Sequence, residues 1–383
     1  MTRHLRFAPF VLFLFVVSVS QAGDSAGMAD VLQPYVDRHE LAGIVTVVAD
    51  KDKVLATDAV GYADIAAGQR MTADALFWIA SQSKPITGTA LMMLVDDGKV
   101  NVDDPVEKYL PEFKEVWLSV EKDNDHQLLR RPKHQILVRH VLSHTSGLPF
   151  KSALEQPTLD LYPLAARVLS YPMTPLDYEP TQDYKYSNAG INTAGRIVEV
   201  ASGMPYEKFL DERLFKPLGM NDTTFWPEGE RLRRLAKPYK PNAAKDGLEE
   251  TTIGQLQYPL DDRTRQPMPA GGLFSTAHDM TRYYQMLAGG GAFEGRKYLS
   301  PEAVSTMTHK QTGDDVKTPY GFGFATDPAG GFGHGGAYGT HSAYHGDTGL
   351  ITVYLIQAAG FFGDGKEAQG AFERAAKERY GKH

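Results

Sequence analysis

The 383-residue sequence contains no cysteine. That excludes disulfides, thiolate zinc sites, iron–sulfur clusters, a cysteine nucleophile and a lipid-bearing N-terminal cysteine, which leaves oxygen and nitrogen groups to do the chemistry. Basic charge is not in excess either: 40 Lys and Arg stand against 47 Asp and Glu, a net charge of −7. Binding nucleic acid through its phosphates needs a strongly basic surface, so no nucleic-acid partner is expected. Internal repeats and low-complexity tracts are missing. So is Gly-x-Ser-x-Gly, which argues against an α/β-hydrolase. What remains, 42% hydrophobic and 23% charged residues, suits a folded chain with one large domain or two intimate ones.

The long hydrophobic run lies at the N-terminus. Arg3 and Arg6 precede Phe7–Val19, and Ser20-Gln21-Ala22 has the small-x-small form of a cleavage site. The run of 13 residues is shorter than the roughly 17–25 of a spanning helix. Residues 1–22 are therefore expected to be a signal peptide, cut before Gly23. The mature chain would be periplasmic or extracellular, without a stable membrane anchor. Losing two arginines leaves 38 basic against 47 acidic residues, a charge of −9.

Hydrophobic patterning then divides the chain. Met28–Glu40 reads as a helix, and Gly43–Ala49 with Val54–Gly61 as a hairpin across Asp50-Lys51-Asp52-Lys53. A second hairpin is expected from Ala337–Tyr344 and Leu350–Ala358, followed by a helix over Lys366–Tyr380. Helices are expected between them at Ser81–Asp97, Asn188–Ala201 and Ser275–Leu287. The polar stretches Lys114–Lys133 and Glu228–Met268 read as long functional loops. The simplest solution is an α+β fold, with a sheet built from both termini and a helical region inserted.

Three constellations could carry chemistry. Ser81-Gln82-Ser83-Lys84 opens an apolar helix, and a spacing of three puts Ser81 and Lys84 on one face. Serine needs a base to become a nucleophile, and lysine can serve when burial lowers its pKa. Tyr186-Ser187-Asn188 precedes the next helix; Tyr186 could share the lysine's proton, while Asn188 could orient the lysine or simply cap the helix. His334-Gly335-Gly336-Ala337 could bring a strand edge and a backbone N–H close to a substrate.

In this order the three pieces resemble the serine β-lactamase-related hydrolases: class C β-lactamases, D-Ala-D-Ala carboxypeptidases and β-lactamase-like (family VIII-type) esterases. Val138–Leu148, Leu218-Gly219-Met220 with Thr223-Thr224, and Ala270–Thr276 are similar to further segments of that family, and the likeness spans roughly residues 28–360. The resemblance implies a β-lactamase/transpeptidase-like fold: one domain over 23–383, its α/β part about 28–75 and 295–383 and its helical part about 76–294. It implies Ser81 as nucleophile, Lys84 as its base and Tyr186 as activator and leaving-group acid. Backbone N–H groups of Ser81 and Ala337 would form the oxyanion hole, and Asn188, His334, Gly335 and Gly336 would contact substrate. No metal and no cofactor are implied.

One departure bears on substrate. Lactamases and carboxypeptidases usually carry Lys-Thr-Gly where this chain has His334-Gly335-Gly336. An unperturbed histidine is mostly neutral at pH 7, and Gly335 lacks a hydroxyl for a substrate carboxylate. Small esters or simple amides are thus the expected substrates, with β-lactams or D-Ala-D-Ala peptides as the alternative. A non-turnover acylated binder or sensor is a reading from a different class. Oligomeric state is not legible.

Other patterns have plainer readings. Gly331–Gly336 fits G-x-G-x-x-G without the βαβ unit of a dinucleotide site. His140 and His144, four apart, read as helix packing near the site rather than metal ligands, and His341 and His345 as rim residues.

Overall fold

The β-branched run Gly43–Ala49 forms a strand, β1, in which every residue is buried. Branched side chains restrict χ1 and fit a pleated, packed surface. The chain turns at Asp50, whose carboxylate accepts the N–H groups of Asp52 and Lys53, into β2 (Val54–Asp64) and the short β3 (Gln69–Arg70). These elements belong to a computed structural model that describes residues 27–381; the expected signal peptide, residues 1–22, lies outside them.

Four strands from the far end complete the sheet: β4 (Ala325–Thr326), β5 (Phe332–Gly335), β6 (His341–His345) and β7 (Leu350–Leu355). The order is β4-β5-β6-β7-β1-β2-β3, antiparallel throughout. Val45 lies opposite Leu355 and Val47 opposite Val353, so the two ends of the chain meet at the sheet's centre, as expected. Both faces are covered, which is why β1 reads as a continuous apolar run instead of an alternation. Val45, Val47, Ile351 and Val353 face the main core. Ile44, Val48 and Tyr354 face Leu32 and Val36 of α1 (Ala29–Asp37) and Phe372 and Ala376 of α5 (Ala368–Tyr380). Each such aliphatic side chain contributes roughly 1.5–3 kcal/mol on burial.

Along the chain, between β3 and β4, come α2 (Ser83–Asp96), α3 (Asn188–Ser202) and α4 (Ala277–Ala288). α2 packs against α3, and at Gly88 a Cβ would stand 2.4 Å from the Phe322 carbonyl oxygen. Phe77–Trp78 pairs with Phe274–Ser275, and Ile79 donates to the Leu273 carbonyl at 3.0 Å. This pairing sets the start of α2 beside residues 270–273. Among the described residues no helix is long and apolar enough to cross a membrane.

Several expectations need correction. Ala337 does not begin a strand: Ala337–Gly339 is a 3-10 turn, with Tyr338 and Gly339 at φ 69° and 84°, and β6 starts at His341. Gly336 N–H donates to the Thr340 carbonyl at 2.7 Å and closes this turn, which a glycine-rich sequence permits but does not announce. α1 stops at Asp37, before His39 at φ 59°. The stretches read as long loops carry hairpins, Leu118–Lys122 with Gln127–Arg130 and Tyr239–Pro241 with Leu248–Glu250. Their side chains are largely exposed, so no apolar alternation marks them.

Candidate active site

Ser81 sits half-buried in a 3-10 turn, Ala80–Gln82, that runs directly into α2; the α-helix proper begins at Ser83, two residues later than expected. Ala80 takes a left-handed conformation, φ 47°, unusual for a residue with a Cβ. The turn is held by Ser83 Oγ, which donates to the Ala80 carbonyl at 2.7 Å and accepts Leu273 N–H at 3.2 Å. Trp78 Nε1 donates to the Gly271 carbonyl at 2.7 Å.

Lys84 follows on α2 and is fully buried. Its Nζ lies 3.2 Å from Ser81 Oγ, 2.8 Å from Asn188 Oδ1 and 2.7 Å from the Ala270 carbonyl oxygen. No carboxylate forms an ion pair with it among the described residues. Burial alone drives its pKa well below the ordinary lysine value, so the neutral amine is favoured. A neutral amine has two N–H bonds and one lone pair. Asn188 Oδ1 and the Ala270 carbonyl can only accept, so they take both N–H bonds and leave the lone pair for the Ser81 hydroxyl.

Tyr186 hydrogen-bonds Ser81, and burial raises its pKa. Its ring lies 4.5 Å from Lys84 Nζ and stacks on exposed Phe150, with centroids 6.4 Å apart. Ser187, not Asn188, caps α3: its Oγ accepts Gly190 N–H at 3.0 Å and donates to the Pro149 carbonyl at 2.7 Å. Relieved of capping, Asn188 turns to Lys84.

The opposite wall is the end of β5 and the turn after it. Gly335 is exposed, Gly336 and Ala337 half-buried, and the turn packs against the Ser81 turn. Close approach requires glycine at 336: a Cβ there would stand 2.4 Å from the Ile79 carbonyl oxygen and 2.2 Å from Thr340 Oγ1. At 335 the nearest atom, the Thr340 carbonyl oxygen, would be 3.7 Å away. The His334 ring is buried, with Nε2 2.9 Å from Tyr320 Oη and Nδ1 2.5 Å from the Gly335 carbonyl oxygen. Burial, with Lys84 nearby, pushes its pKa down to about 3.

The structure thus gathers Ser81, Lys84, Tyr186 and Asn188 on one side and His334–Ala337 on the other. It adds groups that sequence reasoning did not assign. Ala270 contributes a backbone carbonyl, which has no side-chain signature. Asn192, one turn beyond Asn188 on α3, fixes Ala270 N–H at 3.0 Å. His144, read only as packing near the site, lies 4.6 Å from Tyr186 between ring centroids. Tyr320 bridges from a segment without a motif. His140 accepts Leu137 N–H at 3.1 Å, away from His144's partners, and His341 pairs with Glu373 of α5 at 3.0 Å. Among the described residues no group of three or more His, Asp or Glu could hold a metal ion.

The family model described as Beta-lactamase matches residues 28–376. Protein Rv1367c of Mycobacterium tuberculosis is 33% identical over 349 residues, covering 83% of this chain and 86% of its own. Esterase EstB of Burkholderia gladioli is 27% identical over 399 residues, covering 88% of this chain and 96% of its own. Among solved structures, EstCE1, described as a hydrolase with promiscuous acyltransferase activity, matches with a TM-score of 0.75 at 25% identity, over 91% of this chain and 97% of its own.

Proposed function

The chain belongs to the beta-lactamase family and is one of its serine hydrolases, and from that premise we propose that it cleaves carboxylic esters or simple amides through an acyl-enzyme on Ser81. The observation that carries this reading is the bonding of Lys84: two acceptors occupy its N–H groups, and its remaining valence faces Ser81 Oγ at 3.2 Å.

In the proposed cycle Lys84 takes the Ser81 proton as Oγ attacks the substrate carbonyl. The developing oxyanion is received by the backbone N–H groups of Ser81 and Ala337. Collapse expels the alcohol or amine, protonated through Tyr186, which burial keeps in its phenol form at neutral pH. Water then attacks the acyl group, returns its proton through the same pair, and frees Ser81.

The ester preference rests on the wall opposite. Both nitrogens of neutral His334 are engaged, and Gly335 offers no hydroxyl. A substrate carboxylate would meet neither a cation nor a free side-chain donor at positions 334 and 335. The esterase relative supports the same choice. The Arg3, Arg6 and Phe7–Val19 pattern supports export, to the periplasm or the medium.

Steady-state rates on p-nitrophenyl butyrate, nitrocefin and a D-Ala-D-Ala peptide test the proposal. The ester is expected to be turned over fastest; faster turnover of nitrocefin or the peptide replaces the ester reading with that of a β-lactamase or carboxypeptidase. Ser81→Ala is expected to abolish hydrolysis and labelling by a serine-reactive phosphonate, and retained hydrolysis refutes the mechanism. A single burst of acylation without turnover makes the protein a covalent binder.

A further inference from the structure

Three side chains that make and break no bonds in the proposed cycle link the two walls of the site. His144 Nδ1 lies 3.1 Å from Ser187 N, and its Nε2 lies 3.3 Å from Tyr320 Oη. The same Tyr320 Oη lies 2.9 Å from His334 Nε2, while His334 Nδ1 lies 2.5 Å from the Gly335 carbonyl oxygen.

The two ends fix the direction of every bond between them. A backbone N–H only donates, so His144 Nδ1 carries no proton. A neutral imidazole then has its proton on Nε2, which donates to Tyr320 Oη. The phenol, having accepted, donates its own proton to His334 Nε2. His334 consequently carries its proton on Nδ1 and gives it to the Gly335 carbonyl, which only accepts. Four bonds run one way, from the Tyr186 loop to β5, and none sets donor against donor. His144, Tyr320 and His334 are all buried, and burial keeps both imidazoles neutral, as the ordering needs.

His144 also grips the backbone on either side of Tyr186. Its carbonyl accepts Lys185 N–H at 3.0 Å while its ring accepts Ser187 N–H. It does so from a left-handed backbone, φ 61°, a conformation that persists where surrounding contacts over-determine it. The His144 ring stands 4.6 Å from the Tyr186 ring on one side, and the His334 ring stands 6.0 Å from it.

We propose that His144, Tyr320 and His334 form one directional hydrogen-bond relay that sets the Tyr186 phenol against the Gly335–Gly336 wall. His144 and Tyr320 are then positioning residues for the proton that Tyr186 delivers to the leaving group. The inference rests on the function proposed above, in which Tyr186 is that donor.

Tyr320→Phe removes both central bonds and keeps the ring. An alkyl ester needs its leaving alkoxide protonated, whereas p-nitrophenolate departs unaided. The substitution is therefore expected to lower kcat/KM for an ethyl ester by on the order of ten- to hundredfold, and for the p-nitrophenyl ester of the same acid by less than about threefold. Phosphonate labelling of Ser81 should persist. Should Tyr320→Phe fail to fold, His144→Asn serves instead: asparagine tolerates the left-handed backbone, its amide oxygen can still accept the Ser187 N–H, the Tyr320 bond is lost, and the same leaving-group dependence is expected. Nitrogen-15 NMR of the wild-type histidines should show His144 protonated on Nε2 and His334 on Nδ1. Equal losses on both esters, no loss, or the opposite tautomers overturn the relay. Tyr186→Phe separates the two readings. A leaving-group-dependent loss there, without one in Tyr320→Phe, overturns the relay alone; equal losses on both esters, or none, in Tyr186→Phe overturn the donor role of Tyr186 and the relay with it.

Discussion

Asn192 holds Ala270 by its backbone N–H, 3.0 Å from Oδ1, and so aims the Ala270 carbonyl at Lys84. Asn188, four residues earlier on the same face of α3, holds Lys84 itself. The Asn192 amide is anchored in turn by Tyr171 Oη at 2.9 Å and by buried Glu155 at 3.2 Å. Asn192→Leu should destabilise the protein by about 1–3 kcal/mol, because it leaves a buried N–H and a buried carboxyl short of partners. It should also lower kcat, since Ala270 is no longer fixed. Urea denaturation and steady-state kinetics check both, and an unchanged kcat would show that Lys84 is oriented without Ala270.

Lys84 sets an acid limb on activity. Burial lowers its folded-state pKa below the 10.5 of an exposed lysine, and the neutral amine is the working form. kcat/KM should therefore hold above that depressed pKa and fall as pH drops through it. Stability follows the same window. Between the depressed value and 10.5 the unfolded chain binds a proton that the folded protein has shed, so stability rises with pH there. Relative to Lys84→Met, wild type should gain about 1.4 kcal/mol per pH unit across the window, read from denaturation curves at several pH values. A flat difference means that the lysine is buried with its charge.

The adjacent glycines 335 and 336 should respond oppositely. Gly336→Ala places a methyl 2.4 Å from the Ile79 carbonyl oxygen, which forces the wall away from Ser81. Loss of an aligned oxyanion donor costs on the order of 10²–10³ in kcat. Gly335→Ser meets nothing nearer than 3.7 Å and should keep ester hydrolysis. It also supplies the hydroxyl missing for a carboxylate, so the rate ratio between a free-acid substrate and its methyl ester should rise. A fall in that ratio means that position 335 does not face the substrate.

Ala80 carries backbone strain beside Ser81. A left-handed residue with a Cβ costs roughly 1–2 kcal/mol, and φ at Ala80 is 47°. Ala80→Gly removes that cost but adds freedom to the unfolded chain, for a net gain of up to about 1 kcal/mol. Ala80→Val, at a buried site, should lose more than about 2 kcal/mol. Thermal melts of the two variants should therefore move in opposite directions.

What the sequence disclosed depended on whether a feature is local. Ser81 and Lys84 are three apart, and Tyr186 and Asn188 two apart, so side-chain type and spacing mark them as candidates, and the family resemblance supplied their expected roles. The strands at the sheet's centre were legible because β1 and β7 are rich in branched residues, whereas the short β3 and β4 at its edges gave no signal. Other features rest on contacts between distant parts of the chain. Tyr320 meets His144 across 176 positions, with no spacing to betray the pair. Gly147, at φ 78° with a Cβ position 2.2 Å from the Tyr178 carbonyl oxygen, marks a tight turn after His144, and with the family-like segment Val138–Leu148 it is a signal that could have drawn attention there. Ser187 and Asn188 are equally good caps by type; the buried Lys84 decides between them by claiming the Asn188 oxygen. At Ala337 the glycines allowed strand or turn, and the close approach to Ile79 selected the turn.

The pairing of β1 with β7 also means that the sheet beside the site joins segments about 300 residues apart. Ser81 comes early in the chain, whereas the wall that faces it, Gly335–Ala337, and β7, which pairs with β1, come more than 250 residues later. A chain emerging N-terminus first therefore carries the proposed nucleophile long before the wall opposite it exists. Loop-closure entropy grows slowly with length, so the late joining is affordable, but it cannot be anticipated by any shorter piece. On the proposed mechanism the first turnover cannot precede the docking of β5 and β7, and so dates it.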